Sequence, residues 1–490
     1  MFLTNQPHHE IPNPTEYTPR TEPDGGSTAN QCPLTMRILF IRPRQSEQTI
    51  GLQHIIIVEP LELEVLAAMA APDDELKIID MILEKGDVGN HIRRYNPDVV
   101  CVTGYITNIP TMINYCRTAK EIDPAIVTVA GGVHIENFPE DIEDPHVDFR
   151  VVRNATRTFP QLLDHLRGKA ELPAGVLRPG EVKDEGKLPP FDFYFPRPRR
   201  DLVKHYMKHY FYIFHDKVSL LKTSFGCPYS CSFCYCIEIT GHNYVTRPVN
   251  DVLDELQEIE GEEVYIVDDN FLVAPARLME FITGLKERGI NKKYLVFGRA
   301  DFIVKHPELI RDFKEVGLTS VIVGFESFSD DELEEMNKEI AANANEEAME
   351  ILNKYGVDCF ASVIVHPNWD RNDFKKLVKK SRALGIEYVV LQPLTPYPGT
   401  GFQVDESKML FKRTDFDKWD LAHVAIKPEK LTLTEYYREI LKAYNRIALS
   451  PRTIIRHMKY PLRMQIRILS GLHRISNQYR KRAKEAKRHA

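Results

Sequence analysis

Four of the eight cysteines in the 490-residue chain fall between positions 227 and 236. The stretch reads Gly226-Cys227-Pro228-Tyr229-Ser230-Cys231-Ser232-Phe233-Cys234, a C-x3-C-x2-C spacing, with Cys236 beyond one intervening residue. Three thiolates can hold three corners of a cubane [4Fe–4S] cluster and leave the fourth iron open to a substrate or cofactor. A structural zinc site would instead use four ligands, commonly in two separated pairs. Cys236 sits awkwardly close to Cys234 for a closed four-thiolate site. The spacing predicts an open cluster carried by Cys227, Cys231 and Cys234. The remaining cysteines, at 32, 101, 116 and 359, are scattered, which is no disulfide framework and points to a reducing, cytoplasmic setting.

A cluster needs a scaffold, and the hydrophobic pattern supplies two. Short β-branched runs, MRILFI (36–41), LKIID (76–80), DVVCVT (98–103), AIVTVAGG (125–132) and DFRVV (148–152), alternate with helical patterns near 61–70, 107–121 and 158–167. Strands separated by helices imply a doubly wound parallel sheet, whose ligand lies beyond the carboxyl ends of the strands. Residues 171–215, rich in proline and aromatic side chains, read as a packed connector. A second series has strands near 217–223, 263–268, 293–298, 319–324, 358–365 and 387–392, with helices near 250–260, 276–288, 306–316, 344–355 and 371–384. Six βα units suggest a partial parallel barrel with its sites at the strand C-termini, and the cysteine cluster follows its first strand. The expected fold class is thus α/β: a disordered leader over 1–34, a doubly wound domain over 35–170, the connector, a partial (β/α)6 barrel over 216–425, and a helical basic region over 426–490.

The C-x3-C-x-aromatic-C loop after the first strand of a six-unit barrel resembles the radical S-adenosylmethionine superfamily. The resemblance implies that the open iron chelates the amino and carboxylate groups of S-adenosylmethionine, which an electron cleaves to methionine and a 5′-deoxyadenosyl radical. It further implies cofactor contacts at Phe233, at Asp268, Asp269 and Asn270 in VDDN, at Arg299 in GRAD, at Glu326 in GFES and at Gln392 in LQPL. Glu326 would accept hydrogen bonds from ribose hydroxyls or the methionyl ammonium, and Arg299 would pair with a carboxylate. For any one of them a structural salt bridge or a helix cap is an equal reading. His134 and His366, near strand ends, read first as hydrogen-bonded structural residues.

A doubly wound domain before such a barrel resembles the cobalamin-binding subgroup. No Asp-x-His-x-x-Gly motif is present, so no histidine ligand to cobalt is implied. The loop Gly104 to Asn108, with Tyr105, Thr107 and Asn108, would face the corrin, and Gly131-Gly132 would let the nucleotide tail approach, glycine having no side chain. Val151-Val152-Arg153-Asn154-Ala155-Thr156 stands where many relatives have a Gly-Glu-Gly stretch. Over about 36–430 the chain is similar to the hopanoid C-3 methylase branch, through EPLELE (59–64), PRRDLVKHY (198–206), IVDDNF (266–271), NWDRNDF (368–374), TPYPGT (395–400) and FDKWDLAHVAI (416–426). This implies methylcobalamin-dependent methyl transfer to an unactivated carbon of a small-molecule or lipid substrate, with flavodoxin or ferredoxin as electron donor. The alternatives are a cobalamin radical cyclase or ring-contraction enzyme without methyl transfer, and a noncatalytic corrinoid- or metal-binding regulator of nucleic acid.

The formal net charge of -6 hides an asymmetry: residues 451–490 hold twelve Lys or Arg against Glu485 alone, so the tail is +11 and the remainder -17. Its mixture of Ile, Leu and Met with cations suits a helix lying on an anionic membrane, the plainer reading being a solvated helix. Nucleic acid is not the expected partner. The start of the chain lacks the pattern of a secretory signal. The apolar stretch His54 to Ala71 is interrupted by Glu59, Pro60, Glu62 and Glu64, which suits an amphipathic helix better than a membrane span.

Overall fold

The computed structural model describes residues 35–51, 54–240, 243–458 and 460–488; the leader expected over 1–34 lies outside them. Strands β1 (Arg37–Arg42), β2 (Glu75–Asp80), β3 (Val99–Thr103), β4 (Val127–Gly131) and β5 (Phe149–Val151) form a parallel sheet in the order β2-β1-β3-β4-β5. β6 (Val176–Leu177), from the connector, pairs antiparallel on its edge. Every residue of β3 is buried, as a central strand covered on both faces must be. Helices α1 (Leu61–Ala67), α2 (Val88–Tyr95), α3 (Ile109–Ile122), α4 (Val133–Asn137) and α5 (Ala155–Leu166) complete the domain, with α1 and α5 packing on one face and α2 and α3 on the other. Helix α2 departs from the sequence expectation. Its eight residues begin Val-Gly-Asn, poor helix formers, and the Asp87 cap on Gly89 N supports its first turn.

The second unit is sequential and all-parallel: β7 (Ser219–Leu221), β8 (Glu263–Ile266), β9 (Lys293–Gly298), β10 (Leu318–Glu326), β11 (Asp358–Val365) and β12 (Tyr388–Pro393). Between them run α6 (Val249–Glu258), α7 (Pro275–Glu287), α8 (Pro307–Glu315), α9 (Ala342–Tyr355) and α10 (Arg371–Leu384). No pairing joins β7 to β12, so the barrel is open along one side. Its floor is aromatic: Tyr212 of the connector lies 5.1 Å from Tyr265 and 5.9 Å from Phe360, ring centre to ring centre. The connector is therefore part of the barrel core.

Two glutamates of EPLELE are not on a solvated helix face. Glu59 and Glu64 are buried, and the ion that compensates them, Arg200 of PRRD, comes from the connector. Arg200 also donates to Glu255 of α6 at 2.8 Å and to the Leu220 carbonyl of β7 at 2.6 Å, while Glu59 accepts from Leu220 N at 2.6 Å. Arg247 adds a second contact to Glu255 at 2.7 Å. One buried ion cluster thus ties the first domain, the connector and the barrel together.

The C-terminal region is helical, as expected, but it is not a free tail. α11 (Leu433–Ala448) and α12 (Leu462–Arg488) pack together, and α12 buries Ile468, Gly471, Tyr479 and Ala483. α12 also crosses the first domain, where a Cβ on Gly471 would lie 2.4 Å from the Ile55 side chain. Among the described residues no helix is long and apolar enough to cross a membrane.

Removing one member of a buried ion cluster strands the others, at a cost of about 3–5 kcal/mol; Arg200→Met should therefore lower the melting temperature sharply. Glu64 behaves oppositely. Burial, then repulsion by Glu59, hold its carboxyl well above the ordinary 4.5, so its contribution to stability is present below about 4.5 and lost as pH rises through the folded value. Glu64→Gln should melt at the same temperature as the parent in acid and progressively higher as pH rises through the raised folded value. Thermal denaturation against pH checks both.

Candidate active site

The cysteine loop leaves the barrel because Asp268 pulls it out. The expected strand over 217–223 stops at Leu221; Ser224–Phe225 then pairs antiparallel with Val245–Thr246. Buried Asp268, just past β8, accepts from Thr223 N (2.6 Å), Ser224 N (3.0 Å), Ser224 Oγ (2.7 Å) and Thr223 Oγ1. Its neighbour Asp269 accepts from Gly226 N at 2.9 Å and pairs with Lys222 at 3.3 Å. Gly226 has φ +87°, and a Cβ there would lie 1.9 Å from the Asn243 carbonyl oxygen. Only glycine fits that turn.

Cys227, Cys231 and Cys234 lie within electrostatic reach of one another. Burial pushes the Cys227 thiol up and the Cys234 thiol up to about 11, so loading iron must displace protons. Cys236 opens a short helix, Cys236–Thr240, and burial raises its thiol further. Among the described residues no three Cys, His, Asp or Glu side chains form a ligand set for one metal ion. Thiolates on a cubane each take a different iron, a wider spread than one ion accepts. The amide of Asn270 hydrogen-bonds the Cys227 thiol, and Ser232 Oγ is buried without a hydrogen-bond partner. A buried, unpaired hydroxyl within the three-thiol loop fits a polar group seated there.

The far side of the loop is held by residues that no sequence motif marks. Ser232 N donates to the Met336 carbonyl at 3.1 Å, and Asn337 Nδ2 donates to the Ser230 carbonyl at 2.8 Å. Phe233 lies half-buried beneath Lys338, whose Nζ is 5.8 Å from the ring centre. Arg299 stacks 3.6 Å over Tyr229, donates to Cys231 Sγ at 3.7 Å and to the Lys338 carbonyl at 2.9 Å, and pairs with Asp301 at 2.9 Å. Glu326 pairs with Lys338 at 3.0 Å from a left-handed backbone, φ +58°, where β10 and β11 slip register. Such strain persists only when its surroundings enforce it. Here Asn345 donates to the carbonyls on both sides, Phe325 (3.0 Å) and Ser327 (2.8 Å). Lys338 and Asn345 were missed because long-range pairing leaves no local signal.

In the first domain the strand order reverses between β1 and β3, where an α/β sheet opens its crevice. Tyr105, just past β3, keeps 67% of its surface accessible although Glu62, Arg42 and Asp269 surround it electrostatically. The charged groups that act on it come from both the first domain (Glu62, Arg42) and the barrel (Asp269). Thr107 and Asn108 are buried behind it, and Asn108 Oδ1 accepts from Tyr105 N at 3.1 Å. Gly132, φ +113°, packs so tightly that a Cβ would lie 2.7 Å from the Gly104 carbonyl oxygen. With Gly131 it borders a cavity of about 40 Å3 between the sheet, α1 and α5. Asn137 of α4 reaches the hydroxyl of Tyr235 in the cysteine loop at 3.2 Å. His134 is bound to Asp141 at 2.8 Å.

Two family models match, the Radical SAM superfamily over residues 221–381 and the B12 binding domain over residues 56–163. The chain belongs to the cobalamin-binding radical S-adenosylmethionine enzymes. Hopanoid C-3 methylase from Methylococcus capsulatus is 29% identical over 83% of this chain and 79% of its own. Anaerobic magnesium-protoporphyrin IX monomethyl ester cyclase from Rubrivivax gelatinosus is 24% identical over 74% and 68%. The solved structure of the methyltransferase TsrM from Kitasatospora setae, with cobalamin and a [4Fe–4S] cluster bound, shares the fold with a TM-score of 0.57 at 16% identity, covering 75% of this chain and 74% of that one.

The two matched domains take a [4Fe–4S] cluster, S-adenosylmethionine and cobalamin as cofactors, and both a methylase and a cyclase stand among the relatives. The residues named from sequence fall into two groups. Cys227, Cys231, Cys234, Phe233, Arg299 and Glu326 gather around the loop at the mouth of the barrel, while Tyr105, Thr107, Asn108, Gly131 and Gly132 stand at the strand ends of the first domain. Asp268 and Asp269 spend their carboxylates on the loop backbone, which makes them positioning residues in this structure. Gln392 lies apart, on the wall of a cavity beside the barrel. In anaerobically reconstituted protein, Cys231→Ala should lose the cluster's absorbance and iron and cleave no S-adenosylmethionine, whereas Cys236→Ser should keep all three.

Proposed function

We propose that the enzyme methylates an unactivated carbon of a lipid or isoprenoid acceptor at the space between the two domains, while in contact with a membrane surface. In this reading Cys227, Cys231 and Cys234 hold the cluster, and Glu326 and Arg299 flank the methionyl and ribose groups. Tyr105 and the Gly131-Gly132 turn face the corrinoid. When bound, the cluster with S-adenosylmethionine supplies a hydrogen-abstracting radical and cobalamin supplies the methyl group. The chain's part is placement. The Arg200 cluster fixes the two domains at one separation, and the Asp268 and Asn337 tethers hold the loop still. Flavodoxin or ferredoxin is the proposed electron donor.

The observation that carries the lipid reading is the outer face of α12. Leu462, Ile466 and Leu469 recur at helical spacing and are 69%, 58% and 55% exposed, with exposed Arg463 and Arg474 on the same helix. An apolar ridge flanked by cations matches an anionic bilayer surface. A second reading, oxidative cyclisation without methyl transfer, draws on the cyclase relative.

Turnover with S-adenosylmethionine carrying a deuterated methyl group should give S-adenosylhomocysteine, 5′-deoxyadenosine and a labelled lipid; an unlabelled cyclised product would select the second reading. Because α12 is built into the core, deleting 451–490 would confound folding with binding. The triple variant Leu462→Ser, Ile466→Ser, Leu469→Ser should instead weaken co-sedimentation with anionic liposomes at least about tenfold, and unchanged binding would overturn the membrane contact.

A further inference from the structure

Beside the open edge of the barrel, away from the cysteine loop, lies a cavity of about 410 Å3, within the size range of small-molecule sites. Its inner wall is β12, through Tyr388, Val390 and Gln392. α11 contributes Leu441 and Ala448, and α12 contributes Ile468, Leu472 and Ile475. The carboxylates on the lining are engaged: Asp420 accepts from Ile50 N at 2.6 Å and pairs with His423, and Glu387 pairs with Arg452 at 3.2 Å. A charged guest would trade its hydration for hydrocarbon walls. An uncharged apolar one would gain by the same exchange.

Both ends of the cavity say where a guest comes from and where it leads. At the outer end Leu421, Leu449 and Leu469 line the space while remaining 36%, 50% and 55% exposed, so they form its mouth. Ile454, Ile455 and Met458, on the segment between α11 and α12, are also exposed. At the inner end, Gln392 pairs in register with Ile364 of β11, and Ile364 packs in the hydrophobic cluster that also receives Phe233 of the cysteine loop. The cavity thus runs from a cation-flanked apolar surface to the carboxyl end of the last barrel strand.

We propose that this cavity binds an uncharged isoprenoid hydrocarbon, admitted through the Leu421, Leu449 and Leu469 mouth. It rests on the lipid reading above in that the bound skeleton is the acceptor's. The test is titration of the full-length, anaerobically reconstituted enzyme with the fluorescent sterol dehydroergosterol. Ala448→Phe, with Ala422→Phe as an independent second filling of the same space, is compared with the parent. Saturable binding at one sterol per chain is expected. It should weaken about tenfold or more in each variant, with the melting temperature and the acceptor-free cleavage of S-adenosylmethionine unchanged. No saturable binding by the parent, or equal binding by a folded variant, overturns the cavity assignment. Undiminished lipid methylation by a folded filled variant also overturns it while leaving the lipid reading intact. Saturable sterol binding by an enzyme whose labelled product is not a lipid leaves the site standing and removes the lipid reading.

Discussion

Passing a group between cofactors carried by two different domains requires those domains to stand at one separation, and here that separation is fixed by a buried charge. Arg200 lies in the connector, yet its guanidinium is shared between Glu59 of the first domain and Glu255 of the barrel, and it donates to the backbone of the first barrel strand. Buried ions are poor sources of net stability but exacting about geometry, because each misplacement leaves a charge without compensation. Glu59, Glu64 and Glu255 are met by Arg200, Arg247 and the more exposed Arg197. Burial nevertheless favours the neutral form of Glu64.

The cysteine loop is governed by the same economy of polar groups. Asp268 and Asp269 satisfy the backbone at its start, Met336 and Asn337 satisfy it further along, and Asn345 clamps the strained turn at Glu326. Within the loop itself Ser232 Oγ stays buried and unpaired. Buried polar atoms are ordinarily paired, so the loop is shaped to receive a polar group there. Asn154, just past β5, takes the left-handed conformation (φ 48°) that asparagine tolerates, and its amide ties down Pro190 and Asp192.

The open side of the barrel explains the C-terminal helices. A six-stranded parallel sheet that does not close exposes its last strand, and β12 is covered by α11, α12 and the residues around Asp420. Leu391 N donates to the Tyr444 hydroxyl of α11 at 2.7 Å, so the edge is satisfied as well as hidden. The cations of the tail divide between the outer face, as with Arg463 and Arg474, and contacts to the body of the protein, where Arg467 donates to the Ile213 carbonyl and Arg482 to the Gln48 carbonyl.

Local sequence determined most of the elements and singled out the cysteine triplet. Alternation of β-branched runs with helical periodicity is a property of neighbouring residues, and the strands it marks survived into the structure with their ends moved by a few residues, while helix α2 did not show in it. The stretches EPLELE and PRRDLVKHY, which carry the resemblance, contain Glu59, Glu64 and Arg200 without revealing that they meet. Pairing across 136 to 141 positions of chain leaves no periodic trace. For the same reason the roles of Lys338 and Asn345, the diversion of Asp268 to the loop backbone, and the cavity beneath α12 were decided only when the chain closed on itself. Hydrogen-bond satisfaction and burial are properties of three-dimensional neighbourhoods, and a side chain's chemistry is spent on whichever partner the fold brings within reach.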